Sequence, residues 1–278
     1  MAKTNLFLTG GTGFVGRWII KTLQRDHPDI DITVLTRSPE VNEDLKVEFL
    51  RGDVETFEFP KKRFDFIVHC SVEGTHRILK LCKQNDATML YTSSGAVYGR
   101  QPTFVPIPES AHRVIDTEYP YAQYSLTKLD GEAMCMVSGL KTKIARLFTF
   151  AGGGMQLHRY AIGNFIRDAE AGKPIVVHGK SGVYRSYMHP SEMAEWCMKI
   201  LFDGDCRPYN VGSSQPVEIH ALAADVASYF GCEIVCTPTE TGKVNWYVPD
   251  TTRAMEFGLV QNIPYPDVLY RMIKEVTE

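Results

Sequence analysis

Tyr124 and Lys128 stand four residues apart in YSLTK, a spacing that puts both on one face of a helix. A phenol titrating near about pH 10 is a poor proton donor or acceptor at neutral pH. A nearby ammonium favours the phenolate and draws it toward the working range. Ser94 lies in TSSGAVYG, residues 92–99, where its hydroxyl can hold a substrate oxygen against the tyrosine. Upstream, residues 9–16 read TGGTGFVG. A phosphate cradle, a hydroxyl-rich strand end and a Tyr–Lys pair, in this order, point to moving a hydride to or from an alcohol carbon. A YxxxK match alone is common; the two preceding motifs give this one its weight. Tyr121 and Tyr119 compete less well, because Ser125 and Gln123 stand four residues on.

The glycines have separate tasks. Gly10 allows the tight turn, Gly13 lets the backbone approach a pyrophosphate, and Gly16 lets the following helix pack closely. Phe14 and Val15 complete the cradle, and the helix N-terminus faces the two negative charges. At the end of the second strand, where NAD binders usually carry an acid for the ribose, the chain has Thr36-Arg37-Ser38. Arg37 can pair with a 2'-phosphate, which favours NADP(H) and keeps NAD(H) as the alternative. Asp53 and Val54, in RGDV, are placed at the adenine.

These residues need a scaffold that brings strand ends together. NLFLTG, DITVLTR, VEFLRGD, FDFIVHC, TMLYTSSG and KIARLFTFAG read as buried strands. GFVGRWIIKTLQRD, VEGTHRILKLCKQN and the segment from about Tyr121 to Ser138 read as helices between them. Strands joined by helical crossovers predict an α/β fold with a doubly wound parallel sheet. After Gly152 come AIGNFIRDAEAGK, PIVVHG, SEMAEWCMKILFDG and IHALAADVASYFG, the helices and strand of a smaller lobe interleaved with returns to the sheet. The expected division is residues 1–152 for the dinucleotide, with those later returns, and 153–278 mainly for the substrate.

Composition narrows the classes. The 278 residues are 44% hydrophobic and 23% charged, ordinary for a globular chain. A net charge of -3 gives no footprint for nucleic acid or an acidic membrane. No apolar run is long enough to span a bilayer, and MAKTNLFLTG runs straight into a strand without a signal-peptide core. The seven cysteines are scattered and read as reduced thiols of a cytoplasmic protein; the closest pair, in CEIVC, sits in a strand-like run. No His, Cys and carboxylate cluster has metal-site spacing. His189 reads as a structural strand-end residue, and His158 and Arg159 as candidates near the small-lobe entrance.

Taken together, TGGTGFVG, RGDV, FIVHC, VEGT, SSGAVYG, YSLTK, RLFTFAGGG, RSYMHPSEMA and YNVG resemble, in order, an extended short-chain dehydrogenase/reductase of the nucleotide-sugar epimerase/dehydratase family. The resemblance implies a Rossmann-type domain with a smaller C-terminal substrate-binding lobe. It implies a triad of Ser94, Tyr124 and Lys128, with Tyr124 and Lys128 also touching the cofactor. It places Arg185 on the diphosphate of a nucleotide-diphosphate sugar and Asn164 beside its phosphate or sugar. It further implies a homodimer through the Tyr124 helix and the VEGTHRILKLC helix, with Leu79, Cys82, Met134 and Val137 as the apolar stripe.

Departures from the family pattern narrow the reaction. Family dehydratases carry Asp-Glu after the triad hydroxyl, whereas here Gly95 and Ala96 can move no proton. Hydride chemistry remains: reduction of a 4-keto(-6-deoxy) sugar with Tyr124 as proton donor, toward which Arg37 tilts the choice, or NAD-dependent epimerisation. A non-catalytic cofactor sensor is the third alternative, opposed by the intact Tyr–Lys pair. His69-Cys70-Ser71 runs directly into Val72-Glu73-Gly74-Thr75, where the family usually has a loop and short helix. Either the nicotinamide side is more open or a stretch is absent from this sequence. Thr149 and Gly153 also replace a usual Asn and Pro.

Overall fold

The computed structural model describes residues 3–38, 45–99, 101, 104–113, 122–179, 182–237 and 245–277. Tyr119 and Tyr121, the two competing tyrosines, lie outside them.

The first half alternates strand and helix: β1 (Thr4–Thr9), α1 (Phe14–Asp26), β2 (Ile30–Thr36), β3 (Glu48–Arg51), β4 (Phe66–His69), α2 (Thr75–Asn85), β5 (Thr88–Ser94), α3 (Ala122–Val137) and β6 (Thr142–Leu147). Then follow α4 (Ala161–Glu170), β7 (Ile175–His178), β8 (Val183–Arg185), α5 (Pro190–Asp203), β9 (Pro208–Val211), β10 (Val217–Glu218), α6 (Ile219–Phe230), β11 (Ile234–Thr237), β12 (Asn245–Tyr247), α7 (Thr252–Glu256) and α8 (Tyr265–Thr277).

Seven strands form one parallel sheet in the order β3-β2-β1-β4-β5-β6-β9. Its strands are apolar runs because both faces are covered. On one face α1 and α5 bring Ile19, Ile20, Leu23, Met193, Trp196 and Ile200 against Leu6, Leu8 and Val34. On the other, Ile78 and Leu81 of α2 and Cys135 of α3 pack on Phe7, Ile67 and Met89. The order reverses between β1 and β4, and a crevice at such a switch point is where open α/β sheets receive ligands. Gly10 follows β1 and Ser94 ends β5, so the sheet delivers the cradle and the candidate hydroxyl to the same edge.

A second core gathers α4, α6 and α8 around Phe165, Ile166, Leu222, Val226, Val268 and Met272. Beside it lie a three-stranded sheet, β10-β8-β12, and a two-stranded one, β11-β7. A smaller cluster of Val97, Tyr98, Ile107, Phe148, Trp246 and Val248 joins the three-stranded sheet to the end of β5. Among the described residues no helix is long and apolar enough to cross a membrane. All seven cysteines are free.

Two expectations change here. Cys82 cannot belong to a surface stripe, because it is buried inside the protomer with its Sγ donating to the Ala87 carbonyl at 2.9 Å. On α3 the exposed apolar residues are Met136 and Val137, the latter 83% exposed. His189 is a helix cap rather than a strand end: its Nδ1 accepts from the Ser191 amide, and Pro190 opens α5 with its preset φ.

Candidate functional site

The glycine loop has no room for side chains. Gly10 sits at φ +72°, in the left-handed region, with Cys70 close beside it. A Cβ on Gly16 would collide with the Gly10 carbonyl oxygen and lie 2.6 Å from the Gly11 Cα. Backbone, not a movable side-chain tip, stands in the way. Gly13 caps α1 without a side-chain bond, and the first turn carries no acid. Its amide donates to the Gly10 carbonyl at 3.0 Å, which closes the turn. Phe14 and Val15 are half-buried against the core under the loop. Thr12 and Thr36 join hydroxyls at 3.1 Å, tying the loop to the end of β2. A tight backbone turn aimed at a helix N-terminus, with the dipole favouring negative charge, fits a dinucleotide pyrophosphate.

Arg37 is placed at the end of β2 as expected, 67% exposed, and it already has partners. Its Nη1 lies 3.4 Å from Asp53 Oδ2 and 3.4 Å from Glu73 Oε2. Glu73 reaches it because the link from β4 to α2 is short and turns on Gly74, at φ +81°. A Cβ on Gly74 would strike Val54, so the link passes tightly against the turn after β3. Asp53 also accepts from the Glu55 amide at 2.9 Å, which holds its carboxylate in the turn.

The three candidate chemical residues do meet. Ser94 closes β5 and accepts from the Ala96 amide at 3.2 Å. Tyr124, on the first turn of α3 and 39% exposed, lies close enough to Ser94 for that hydroxyl to favour its phenolate. Burial pushes the phenol above its ordinary value, the Ser94 hydroxyl pulls it back, and the neighbouring Tyr160 adds to the rise. Lys128 lies one turn further along α3 and is only 3% exposed. Its Nζ donates to the Thr92 carbonyl at 2.7 Å and the Ser71 carbonyl at 3.2 Å, and sits 5.0 Å from the Tyr91 ring centre. Burial lowers the amine to about 8, against the opposing pull of Cys70 and Glu132. Below that pH it is a buried cation beneath the phenol-bearing turn. His69 next to it is held neutral, lowered to about 3 by burial and by Lys128.

The fit of α3 to β5 depends on Gly131, where a Cβ would overlap the Tyr91 hydroxyl. The sheet and the helix therefore meet closely one turn past Lys128.

In the small lobe, Arg185 lies on β8, the central strand of its three-stranded sheet. Its Nη1 donates to the Tyr184 carbonyl at 2.7 Å and to Asn245 Oδ1 at 3.2 Å, and its guanidinium lies 5.8 Å from the Tyr247 ring centre. Tyr247 connects it to the triad: a Cβ on Gly95 would sit 2.7 Å from the Tyr247 hydroxyl and 2.8 Å from Phe148. Asn164, on α4, donates to the His158 carbonyl at 3.4 Å. His158 and Arg159 are exposed. Sequence reasoning missed Glu73, Tyr160 and Tyr247, whose proximity to the site comes from chain folding and leaves no local spacing. Among the described residues no group of His, Cys and carboxylates could hold a metal ion.

Residues 6–212 match the NAD dependent epimerase/dehydratase family, a span that contains the cradle, Ser94, Tyr124 and Lys128. The chain belongs to this family. A trifunctional UDP-glucose 4,6-dehydratase/UDP-4-keto-6-deoxy-D-glucose 3,5-epimerase/UDP-4-keto-L-rhamnose-reductase of Arabidopsis thaliana is 25% identical over 82% of this chain and 39% of its own length. A UDP-glucuronic acid decarboxylase of Danio rerio is 24% identical over 81% of this chain and 60% of its own. The chain thus spans well under two thirds of these relatives. Among solved structures, the UDP-glucose 4-epimerase of Thermus thermophilus in complex with NAD superposes with a TM-score of 0.83 at 20% identity, covering 98% of both chains. The UDP-N-acetylglucosamine 4-epimerase of Methanobrevibacter ruminantium gives 0.85 at 18% identity over 99% of both. The epimerase/dehydratase fold thus extends past residue 212, through the small sheets and α8.

Proposed function

We propose that this chain reduces the 4-keto group of a nucleotide-diphosphate sugar, such as a 4-keto-6-deoxy sugar, by hydride transfer. The observation that carries it is the placement of Ser94 at the end of β5 beside Tyr124, with the buried Lys128 one turn along the same helix and two residues after Ser94 that cannot move a proton. A nicotinamide dinucleotide on the glycine loop supplies the hydride. Ser94 Oγ holds the substrate oxygen, and Tyr124 Oη gives that oxygen its proton. The resulting phenolate is stabilised by Lys128, which is mostly cationic at neutral pH. Gly95 and Ala96 leave no acid–base pair for eliminating water. Residues 1–152, with the later returns to the sheet, hold the dinucleotide; 153–278 mainly hold the substrate, with Arg185 on the diphosphate and Asn164 at the phosphate or sugar. Remote binding of the nucleotide then orients the sugar carbon.

A specific observation favours a second reading, NAD-dependent epimerisation. Arg37, the residue that would select a 2'-phosphate, is already engaged by Asp53 and Glu73. Epimerisation uses the same three residues, with Tyr124 first taking and then returning the proton.

The chain is further proposed to form a homodimer through α2 and α3, where Leu79 and Met134 are half-buried and Met136 and Val137 are exposed. Light scattering at micromolar concentration that returns the mass of one chain removes this.

Turnover of nucleotide 4-keto-6-deoxy sugars with NADPH and NADH, beside epimerisation of the 4-hydroxy sugars, separates the two reactions. Tyr124→Phe should lower turnover by about two to four orders of magnitude with dinucleotide binding kept, since only the transferable proton is lost. Turnover close to wild type removes Tyr124 from the chemistry. Arg185→Ala should raise KM for the nucleotide sugar and leave a small ketone surrogate unaffected; equal loss on both makes Arg185 a fold residue.

A further inference from the structure

The largest fully buried side chain is Arg146, on β6, and it is only 1% exposed. It touches neither the glycine loop nor Ser94, Tyr124 or Lys128 in any described contact. Its guanidinium makes four hydrogen bonds in two directions. Nε and Nη2 clamp the Glu132 carboxylate at 2.9 and 2.7 Å. Nη1 donates to the Tyr98 hydroxyl at 2.8 Å and to the Glu109 carbonyl at 2.9 Å. The planar fork of arginine fixes the angle between these partners, which a lysine could not do.

Each direction leads to one arm of the site. Glu132 is on α3, one turn beyond Lys128 and two beyond Tyr124, and is fully buried. Tyr98 ends the single 3-10 turn, Gly95–Tyr98, that starts from Ser94 and is capped by its hydroxyl. The Tyr98 hydroxyl passes its own proton to Asn210 Oδ1 at 2.7 Å, and Asn210 is anchored by the Ile107 and Asp250 carbonyls. On the outer side, Arg113 reaches Glu132 Oε2 at 3.0 Å. One cation thus joins the turn behind Ser94 to the helix that carries Tyr124 and Lys128, at the level beneath both.

We propose that Arg146 is a positioning residue, which sets the separation of Ser94 and Tyr124 by gripping the Tyr98 turn and the Glu132 helix together. As a statement about catalysis it rests on the hydride-transfer reading above. A burial role alone would be met by any well-packed side chain. The fork instead fixes one separation, that of the Ser94 turn from the Tyr124 helix, on which proton transfer depends.

Arg146 itself is a poor probe, because its removal strands the buried Glu132 carboxylate. Tyr98→Phe releases the Ser94 arm, together with its bond to Asn210, and keeps the ring. It should lower kcat about ten- to a hundredfold with KM unchanged, the size expected when a reacting group is misplaced by a fraction of an ångström to an ångström. In a Ser94→Ala background Tyr98→Phe should cost nothing more, since there is no hydroxyl left to misplace. An equal loss in both backgrounds, or unchanged kcat in the single variant, overturns the proposal.

A second readout needs no substrate. The Ser94 hydroxyl pulls the Tyr124 phenol down, while Tyr91 and Tyr160, which also face it, are unchanged by the substitution. The tyrosinate absorbance of Tyr124, taken as the difference from a Tyr124→Phe partner, should therefore move to higher pH in Tyr98→Phe, as in Ser94→Ala. An unmoved titration refutes the clamp. A wild type inert on every nucleotide sugar sinks the reaction assignment, and this titration then decides the clamp by itself.

Discussion

Replacing Lys128 by methionine keeps the length of a buried side chain and deletes its charge. The amine titrates at about 8 in the folded chain and at an ordinary 10.5 when unfolded. Lys128 is almost wholly buried, so solvent screening does little to discount the effect. Between those two pH values the unfolded chain holds a proton that the folded chain has shed. Raising the pH then favours the folded state, and across a gap of about 2.5 pH units the gain is about 3 kcal/mol. Below about pH 8 both states are protonated and the term is flat, at its least favourable. The Lys128→Met chain lacks the term altogether. Urea unfolding of both proteins from neutral pH to 10.5, subtracted one from the other, isolates it. Both neighbours that feel the Lys128 charge titrate outside the window in the folded chain: His69 at about 3, far below it, and Cys70 at about 11, above it. The wild type should gain about 3 kcal/mol over the variant across the window. A flat or falling difference curve would show that the amine is not held in a charge-averse site, and the account of Lys128 as a buried cation would fail.

Gly16→Ala should weaken dinucleotide binding by about tenfold or more, because the Cβ meets the Gly10 carbonyl and the helix must back away from its anion; fluorescence titration with NADH and NADPH reads this, and unchanged affinity would mean the loop is not the cradle. Glu73→Gln frees Arg37 from one of its two carboxylates and should raise affinity for NADPH relative to NADH by about several-fold, whereas an unchanged ratio would show that Arg37 does not meet the 2' position. Gly95→Asp should not install dehydration: the new Cβ lies 2.7 Å from the Tyr247 hydroxyl and 2.8 Å from Phe148, so thermal melting should show a lower Tm and product analysis no loss of water.

Strands with both faces covered announce themselves as apolar runs, which is why β1, β2, β4, β5 and β6 could be read from the chain. The short strands β8, β10 and β12 could not, since two or three residues carry no period and are held by pairing alone. Helix α8 carried a signal in Val268, Leu269, Met272 and Ile273 that went unused. In the site, the i, i+4 spacing of Tyr124 and Lys128 was legible and places both on α3. What each would touch was not. The fold adds partners that the spacing does not carry: the Ser71 and Thr92 carbonyls for the amine, and the Ser94 hydroxyl beside the phenol. The partners of Arg37 and Arg146 come from other strands and helices, so only folding brings Glu73 to the one and Glu132 to the other.

The late strand β9 has a consequence for how the molecule is made. It pairs with β6 between Ile144–Leu147 and Pro208–Val211, and its Asn210 is the residue that receives the Tyr98 hydroxyl. A chain growing from its N-terminus can lay down β1 to β6 and shape the glycine loop while residue 210 is still unmade. The turn behind Ser94 stays unlocked until that asparagine emerges and β9 docks. In order of synthesis, therefore, the partner that locks the turn behind Ser94 is made after every residue of the glycine loop, Ser94, Tyr124 and Lys128.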